Sequence, residues 1–217
     1  MHRLWLALLL FPALCLSAKG KEPPKYAALI VESDPSIQGT VQLLDGLYDR
    51  GIQATFLLRG SSLSQQPEIL QRILSEGHGI GCRGYTGENM TLMTRRAIAE
   101  EILSFQQLLP EKYPLKLFCP PGGCSDGVRQ VAEARKLGIV SWCADLQADP
   151  ETIQDGDLIL IRDDTPMTAE DSLAFVDKLM DLGFQPVTVT QLAKLRSIRI
   201  EPGSIYSRFP PEKGGLS

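Results

Sequence analysis

The segment AALIVESDP, residues 27–35, decides the fold of this chain. Its apolar half belongs to a run that starts at Tyr26 and ends at Val31, which is typical of a strand buried on both faces of a parallel sheet. Its polar half places the carboxylates of Glu32 and Asp34 where that strand ends. Parallel α/β folds carry their sites at the carboxyl ends of the strands, so we expect any site to lie there.

Amphipathic helices alternate with further apolar runs along the rest of the chain. Helices are predicted at residues 40–51, 67–76, 91–109, 127–137, 169–182 and 189–195, and strands at residues 26–31, 53–58, 79–81, 115–118, 139–144, 157–161 and 185–187. Strands that alternate with helices indicate parallel βαβ units. About seven such units form either a closed barrel or an open doubly wound sheet, and periodicity alone does not choose between them.

Length and charge restrict the domain organisation and the partners. The chain has 217 residues, which favours a single domain, and we place that domain at residues 22–197. The formal net charge is −4 and there is no basic block, which argues against a nucleic-acid partner. Residues 198–217 are rich in Pro, Gly and Ser and are predicted to form a loosely ordered tail.

Residues 1–18 are predicted to be a secretory signal peptide. Arg3 gives a positive start, an apolar run extends from Leu4 to Leu16, and the small residue Ala18 precedes the expected cleavage point. The run is too short for a comfortable membrane span. We therefore expect a secreted or cell-envelope protein with no membrane span after cleavage, the alternative being an uncleaved N-terminal anchor.

Four cysteines remain once the signal is removed: Cys82, Cys119, Cys124 and Cys143. An even number in an exported chain permits two disulfides, in any of three pairings. The alternative is that all four pack as small hydrophobic side chains without bonds, because a domain of this length needs no covalent bridges.

Six short motifs follow one another at consistent spacing. They comprise residues 28–35 with 43–45 and 51–60, then residues 77–81, 118–123, 142 with 145, 156–163, and 182–192. Together they resemble the motifs of the polysaccharide deacetylases, the NodB-homology carbohydrate esterases of family 4. The resemblance covers residues 26–196 and implies a distorted (β/α) barrel of about seven parallel strands.

The resemblance also implies a chemistry. Members of that family remove N-acetyl groups from glycans such as chitin or peptidoglycan. One aspartate acts as base, a second aspartate and two histidines hold zinc, and a later histidine protonates the leaving amine. The implied partner is a cell-wall or other glycan, with a protein partner as the alternative.

The residues at these functional positions depart from the family pattern. The base position falls on Glu32, whose side chain is one methylene longer than aspartate, and the acid position falls on Arg162. The three metal positions fall on Ser33, Arg83 and Gly87. Zinc in a hydrolytic site needs three protein ligands, and a guanidinium stays protonated and cannot ligate. We therefore expect that zinc, the cofactor of the family, is not bound here.

Four side chains near the strand ends are candidates for substrate binding: Trp142, Tyr85, Asp145 and Arg162. The tryptophan either stacks on a sugar ring or packs inside the barrel. Five carboxylates near the strand ends either bind a hard cation such as Ca²⁺ or Mg²⁺ or lie in solvated loops, some paired with Arg83 and Arg162. They are Glu32, Asp34, Asp145, Asp163 and Asp164. The sole histidine past residue 20, His78, is expected to be a packed or capping residue.

Three functional hypotheses follow from these observations. The first is an exported deacetylase-like protein without catalysis, whose groove still binds a glycan or a partner. The second is an atypical active N-deacetylase that uses Glu32 as base with an ion other than zinc. The third is a structural or regulatory domain whose groove is filled by side chains, with ion pairs from Arg83 and Arg162 to Glu32, Asp34 or Asp163.

Overall fold

The computed structural model describes residues 24–35 and 38–211, so the predicted signal peptide lies outside the described residues. The strands are β1 (Lys25–Ser33), β2 (Thr55–Leu58), β3 (Gly79–Cys82), β4 (Leu117–Phe118), β5 (Gly138–Val140), β6 (Leu158–Ile161), β7 (Phe184–Val187) and β8 (Ile205–Tyr206). The helices are α1 (Gly39–Asp49), α2 (Gly60–Leu63), α3 (Pro67–Ser75), α4 (Arg95–Gln106), α5 (Asp126–Ala134), α6 (Pro166–Asp181) and α7 (Val189–Leu195).

The strands form one curled parallel sheet in the order β6-β1-β2-β3-β4-β5-β8, and β7 pairs with the first half of β1. The curl is closed after β5, where Ala144 bridges Ile159 of β6 and its carbonyl accepts a hydrogen bond from the Leu160 amide at 2.9 Å. This arrangement confirms the distorted (β/α) barrel of about seven parallel strands and adds a short eighth strand, β8.

Alternation along the strands creates two hydrophobic cores. The outer core lies between the sheet and helices α1 to α6, and β1 contributes Leu29 and Val31 to it. The inner core lies on the concave face and receives Ile30 of β1, together with Val189 and Leu192 of α7. Because β1 is buried on both faces, its sequence reads as an uninterrupted apolar run.

The tail that was predicted to be loosely ordered is instead packed over residues 198–211. Its strand β8 pairs with β5, and the side chain of Phe209 is fully buried in the inner core, where it stacks on Tyr206 with ring centroids 5.0 Å apart. Gly156 allows this close approach, because a Cβ atom there would lie 2.1 Å from the Phe209 carbonyl oxygen. Residues 212–217 lie outside the described part.

Several element boundaries differ from the sequence prediction, and two of these differences have a clear local reason. The helix predicted at residues 91–109 is α4, which starts after Thr94, whose hydroxyl accepts a hydrogen bond from the Ala97 amide at 3.2 Å. The strand predicted at residues 139–144 stops at Val140, because the chain then bends so that Ala144 can pair with β6.

Among the described residues, no helix combines the length and apolarity that a bilayer crossing requires.

Candidate functional site

The end of β1 presents neighbouring residues to opposite faces of the sheet. Side chains alternate along a strand, so Glu32 follows Ile30 on the concave side and Ser33 follows Val31 on the side of the helices. Glu32 therefore stands above the inner core at the carboxyl end of the barrel, while Ser33 is fully buried beneath α1.

Glu32 forms an ion pair with Arg83, which directly follows β3. The Arg83 Nη2 contacts Glu32 Oε1, and each side chain retains 19% of its exposure. The Nε of Arg83 is buried and has no hydrogen-bond partner among the described residues. The guanidinium thus neutralises the carboxylate, and its buried Nε–H group remains without an acceptor among the described residues.

A second ion pair lies at the same end of the barrel. Arg59, which follows β2, places its Nε 2.9 Å from Asp34 Oδ1 and also donates hydrogen bonds to the Ser62 hydroxyl. Its side chain crosses close to Gly87, where a Cβ atom would lie 2.6 Å from Arg59 Cδ. The backbone at Gly87 has φ of +82°, so both the conformation and the space favour glycine.

Ser33 belongs to a sealed cluster around Asp163. The hydroxyls of Ser33 and Thr40 each donate a hydrogen bond of 2.6 Å to Asp163 Oδ2, and the carboxyl group is fully buried. Burial raises the pKa of Asp163, while the two hydroxyl donors act in the opposite direction. Asp163 is therefore neither a solvated loop carboxylate nor a partner of an arginine, which corrects both expectations for this residue.

The residues at the expected metal positions do not fit zinc. The Ser33 hydroxyl is committed as a donor to Asp163, Arg83 brings a cation, and Gly87 has no side chain. Among residues 24–35 and 38–211, no three His, Cys, Asp or Glu side chains are grouped as metal ligands. No catalytic step through a metal can be assigned to this set of side chains.

A pocket of about 420 Å³ opens beside the Glu32–Arg83 pair. One wall is the turn that follows β4, with Cys119 and Gly122, and the other is the chain that leaves β5, with Trp142. The structure thus brings Glu32, Arg83 and Trp142 to one pocket at the carboxyl ends of the strands.

Cys119 in the pocket wall and Cys82, which precedes Arg83, are packed thiols. Burial raises the pKa of both Cys82 and Cys119 to about 12, and Glu32 adds to the effect on Cys119. The Cys82 sulfur accepts a hydrogen bond from the Gly84 amide at 3.2 Å. All four described cysteines are free, which favours packing over disulfides. A protonated, buried thiol is a poor nucleophile and a poor metal ligand.

Three other predicted side chains lie away from the Glu32–Arg83 pair. Asp145 lines an adjoining surface pocket of about 460 Å³ that also contacts Trp142. The Tyr85 ring packs on Gly60, where a Cβ atom would lie 2.6 Å from its Cδ2. Arg162 is exposed and its Nη1 lies 3.6 Å from Asp164 Oδ2, so it does not form the expected pair with Glu32, Asp34 or Asp163.

Three residues of these clusters and of the pocket were not predicted from the sequence, whereas the burial of His78 was. Arg59 and Thr40 were not singled out, and Ile205 reaches the Glu32 pocket from the tail. His78 is buried as expected: its Nδ1 accepts a hydrogen bond from the Ala54 amide at 3.1 Å, and burial lowers its pKa. The hydroxyl of Thr40, at the first position of the helix predicted at residues 40–51, was the available signal for that residue.

Comparisons with known proteins agree with the architecture. A family model described as polysaccharide deacetylase matches residues 19–142. The Bacillus subtilis peptidoglycan-N-acetylmuramic acid deacetylase PdaC is 30% identical over 190 residues, which cover 81% of this chain and 40% of that protein. The chain spans about two fifths of the length of the first curated relatives it matches.

Two solved structures show the same fold. The Xyl-CE4 domain of a multidomain xylanase from the hindgut metagenome of Trinervitermes trinervoides has a TM-score of 0.77 at 22% identity, covering 86% of this chain and 98% of that chain. A wild-type CE4 family pseudoenzyme from Bacillus anthracis has a TM-score of 0.68 at 21% identity, covering 84% of this chain and 70% of that chain. At these identities the likeness concerns the fold.

Proposed function

The chain belongs to the polysaccharide deacetylase family, and we propose that it is an exported, catalytically inactive member that binds a cell-wall glycan in the pocket beside Glu32. The ion pair between Glu32 and Arg83 carries the proposal of inactivity. Arg83 contacts the carboxylate that would have to serve as base, and Arg162, at the expected acid position, is a guanidinium and cannot serve as general acid.

The pocket supports the binding part of the proposal. Its volume of about 420 Å³ is in the range of small-molecule sites, and Trp142 at its wall is half-buried, so part of the indole is available to a sugar ring. Relatives such as PdaC of Bacillus subtilis are named for deacetylation of peptidoglycan, which makes cell-wall glycan the first ligand class to test.

The ion pairs themselves favour a second candidate, a structural or regulatory domain. Arg83 with Glu32 and Arg59 with Asp34 neutralise the carboxylates at the end of β1 without any ligand. In that case the pocket would be a remnant, and no glycan would stabilise the protein. An active hydrolase that uses Glu32 as base has less support, because Arg83 already occupies that carboxylate.

One binding experiment separates the two candidates. Chitin oligosaccharides or peptidoglycan fragments are titrated while the thermal unfolding midpoint is recorded, and ligand at about a hundred times its Kd should add roughly 2.7 kcal/mol to the free energy of unfolding. Trp142→Ala should abolish that shift. Tyr48→Ala is the matched control, because Tyr48 is an aromatic residue 70% exposed on α1, away from the pocket.

Catalysis is tested on the same samples. Acetate release from the oligosaccharides is measured with zinc, calcium or magnesium added, and we expect none above the rate of the Glu32→Gln variant. Release that depends on Glu32 would overturn the proposed inactivity. No thermal shift with any glycan would favour the structural candidate instead.

A further inference from the structure

A second pocket lies at the opposite end of the barrel from Glu32. Its volume is about 640 Å³, and it is formed where β4, β5 and β8 begin. Lys116 directly precedes β4, Lys136 lies two residues before β5, and residues 198–202 precede β8. Helix α7 supplies the remaining wall through Lys194 and its neighbours. The two pockets share no residue.

The wall of this second pocket is basic. It contains the four cationic side chains Lys116, Lys136, Lys194 and Arg199, and no aspartate or glutamate. Within the described part of the chain the three lysines form no ion pair, and Arg199 has one exposed partner, Glu201, at 3.4 Å. Like charges gathered on one pocket repel each other, and in a chain of net charge −4 this concentration favours an anionic ligand.

The pocket also has a fixed apolar surface. Ala193, Ile198 and Ile200 line it, and Ile200 rests on Gly138, where a Cβ atom would lie 2.2 Å from the isoleucine Cγ2. The Gly203 amide donates to the Leu137 carbonyl at 2.9 Å, which ties the 198–202 segment to β5. An apolar surface bordered by cations suits an anion that carries a carbon skeleton better than a bare inorganic ion.

Backbone strain is concentrated beside this pocket. Among the described residues, two that are not glycine adopt left-handed backbone: Lys136, with φ of 59° after α5, and Ser197, with φ of 53° after α7. The corresponding positions after α1, α3 and α6 are Gly51, Gly77 and Gly183. Glycine avoids the strain of this conformation, so a lysine at position 136 lowers the stability of the fold relative to a glycine there.

We propose that this pocket binds a phosphate ester carried on a sugar or polyol. A phosphate ester with up to two negative charges matches several cations better than a single carboxylate does, and its carbon skeleton would lie on the apolar surface of Ile198 and Ile200. The site is independent of the glycan pocket beside Glu32, so the two proposals can fail separately.

The test is calorimetric titration of the full chain with glucose 6-phosphate, glucuronate and glucose at low salt. We expect binding of glucose 6-phosphate with a Kd of about 1 mM or tighter, at least about tenfold weaker binding of glucuronate, and no binding of glucose. Added salt should weaken the binding, because the cations are near the surface. No binding of glucose 6-phosphate, or equal binding of glucuronate, would overturn the assignment.

Two variants locate the binding. Lys194→Gln should weaken the affinity for glucose 6-phosphate at least about fivefold, whereas Lys178→Gln, an exposed lysine on α6, should leave it unchanged. Lys136→Gly should weaken the affinity similarly while raising the thermal midpoint by about 2–4 °C, because it removes the left-handed strain. If both pocket variants bind glucose 6-phosphate like the parent protein, the phosphate lies elsewhere and the proposal is wrong.

Discussion

Glu32 and Ser33 are neighbours on β1, and each stands in a polar cluster of a different kind. Glu32 pairs with Arg83 on the concave side, where both side chains keep 19% of their exposure and border an open pocket. Ser33 donates to Asp163 on the other side, in a cluster without solvent exposure. The alternation of side chains along β1 therefore separates a region that is accessible to a ligand from one that is not.

Each cluster leaves one buried polar atom without a hydrogen-bond partner among the described residues. In the first it is the Nε of Arg83, and in the second it is the Oδ1 of Asp163. Arg83 borders a pocket, so a ligand or water can compensate for its unused donor. Asp163 has no access to solvent. Burial therefore disfavours the charged form of its carboxyl group, and this raises the pKa of Asp163.

The largest expected effect is a loss of stability when the contact between α1 and the backbone of Asp163 is disturbed. In Gly39→Ala the new Cβ would lie 2.0 Å from the Asp163 carbonyl oxygen, so α1 must shift and the free energy of unfolding should fall by about 3 kcal/mol. Gly127→Ala is the control: it is also in the first turn of a helix, its Cβ has no neighbour closer than 3.6 Å, and a gain of up to about 1 kcal/mol is expected. Urea unfolding of both variants measures the difference, and equal stabilities would mean that the cluster is loosely closed.

An intermediate effect on stability is expected for the ion pair between Arg83 and Glu32. Arg83→Met leaves Glu32 without its cation and should lower the free energy of unfolding by about 2 kcal/mol, less than for a fully buried pair because both groups are partly exposed. Adding Glu32→Gln should recover part of that loss, which a double-mutant cycle reports as a coupling energy.

The control cycle for this ion pair uses Arg96 and Glu100, an exposed pair one helical turn apart whose N–O distance is 2.9 Å. Solvent screens such a pair, so its coupling should be much smaller than that of Arg83 with Glu32. Similar coupling in the two cycles would show that the pair beside the pocket is solvated like a surface pair.

Local patterns predicted the strand-end residues and all the elements except the short α2 and β8, whereas contacts between distant segments were not predictable. The run that ends at Val31 placed Glu32 correctly, because strand periodicity is written in adjacent residues. Arg59 pairs with Asp34 only because the register sets Ser33 opposite Leu58, and register between strands far apart in sequence is not visible in either one.

The tail was missed for a related reason. Six of the residues from 198 to 211 are Pro, Gly or Ser, so composition indicated poor order although five apolar or aromatic residues lie among them. Their order comes from long-range partners: the Ile139 amide donates to the Ser204 carbonyl at 2.8 Å, and Phe209 fills the inner core. A single buried aromatic residue outweighs the composition of the segment around it.

The smallest effect is a difference in pH dependence that concerns Asp163. Its folded-state pKa is raised above the usual 3.8, so its contribution to stability is complete below that value and is lost as pH rises through the folded-state pKa. Asp163→Asn cannot ionise and avoids this loss, so the stability of the variant relative to the parent should increase as pH rises above about 4. Urea unfolding at several pH values measures the trend.

The opposite trend is expected for Asp177→Asn. A hydrogen bond from Arg50 lowers the pKa of Asp177, so the carboxylate contributes stability above its unfolded pKa, and that contribution is lost as pH falls. The asparagine variant should therefore lose stability relative to the parent protein as pH rises, by a small amount because the pair is exposed. If the two variants followed the same trend, Asp163 would be ionised at little cost, and the contrast between the sealed cluster and the open pocket would rest on Arg83 alone.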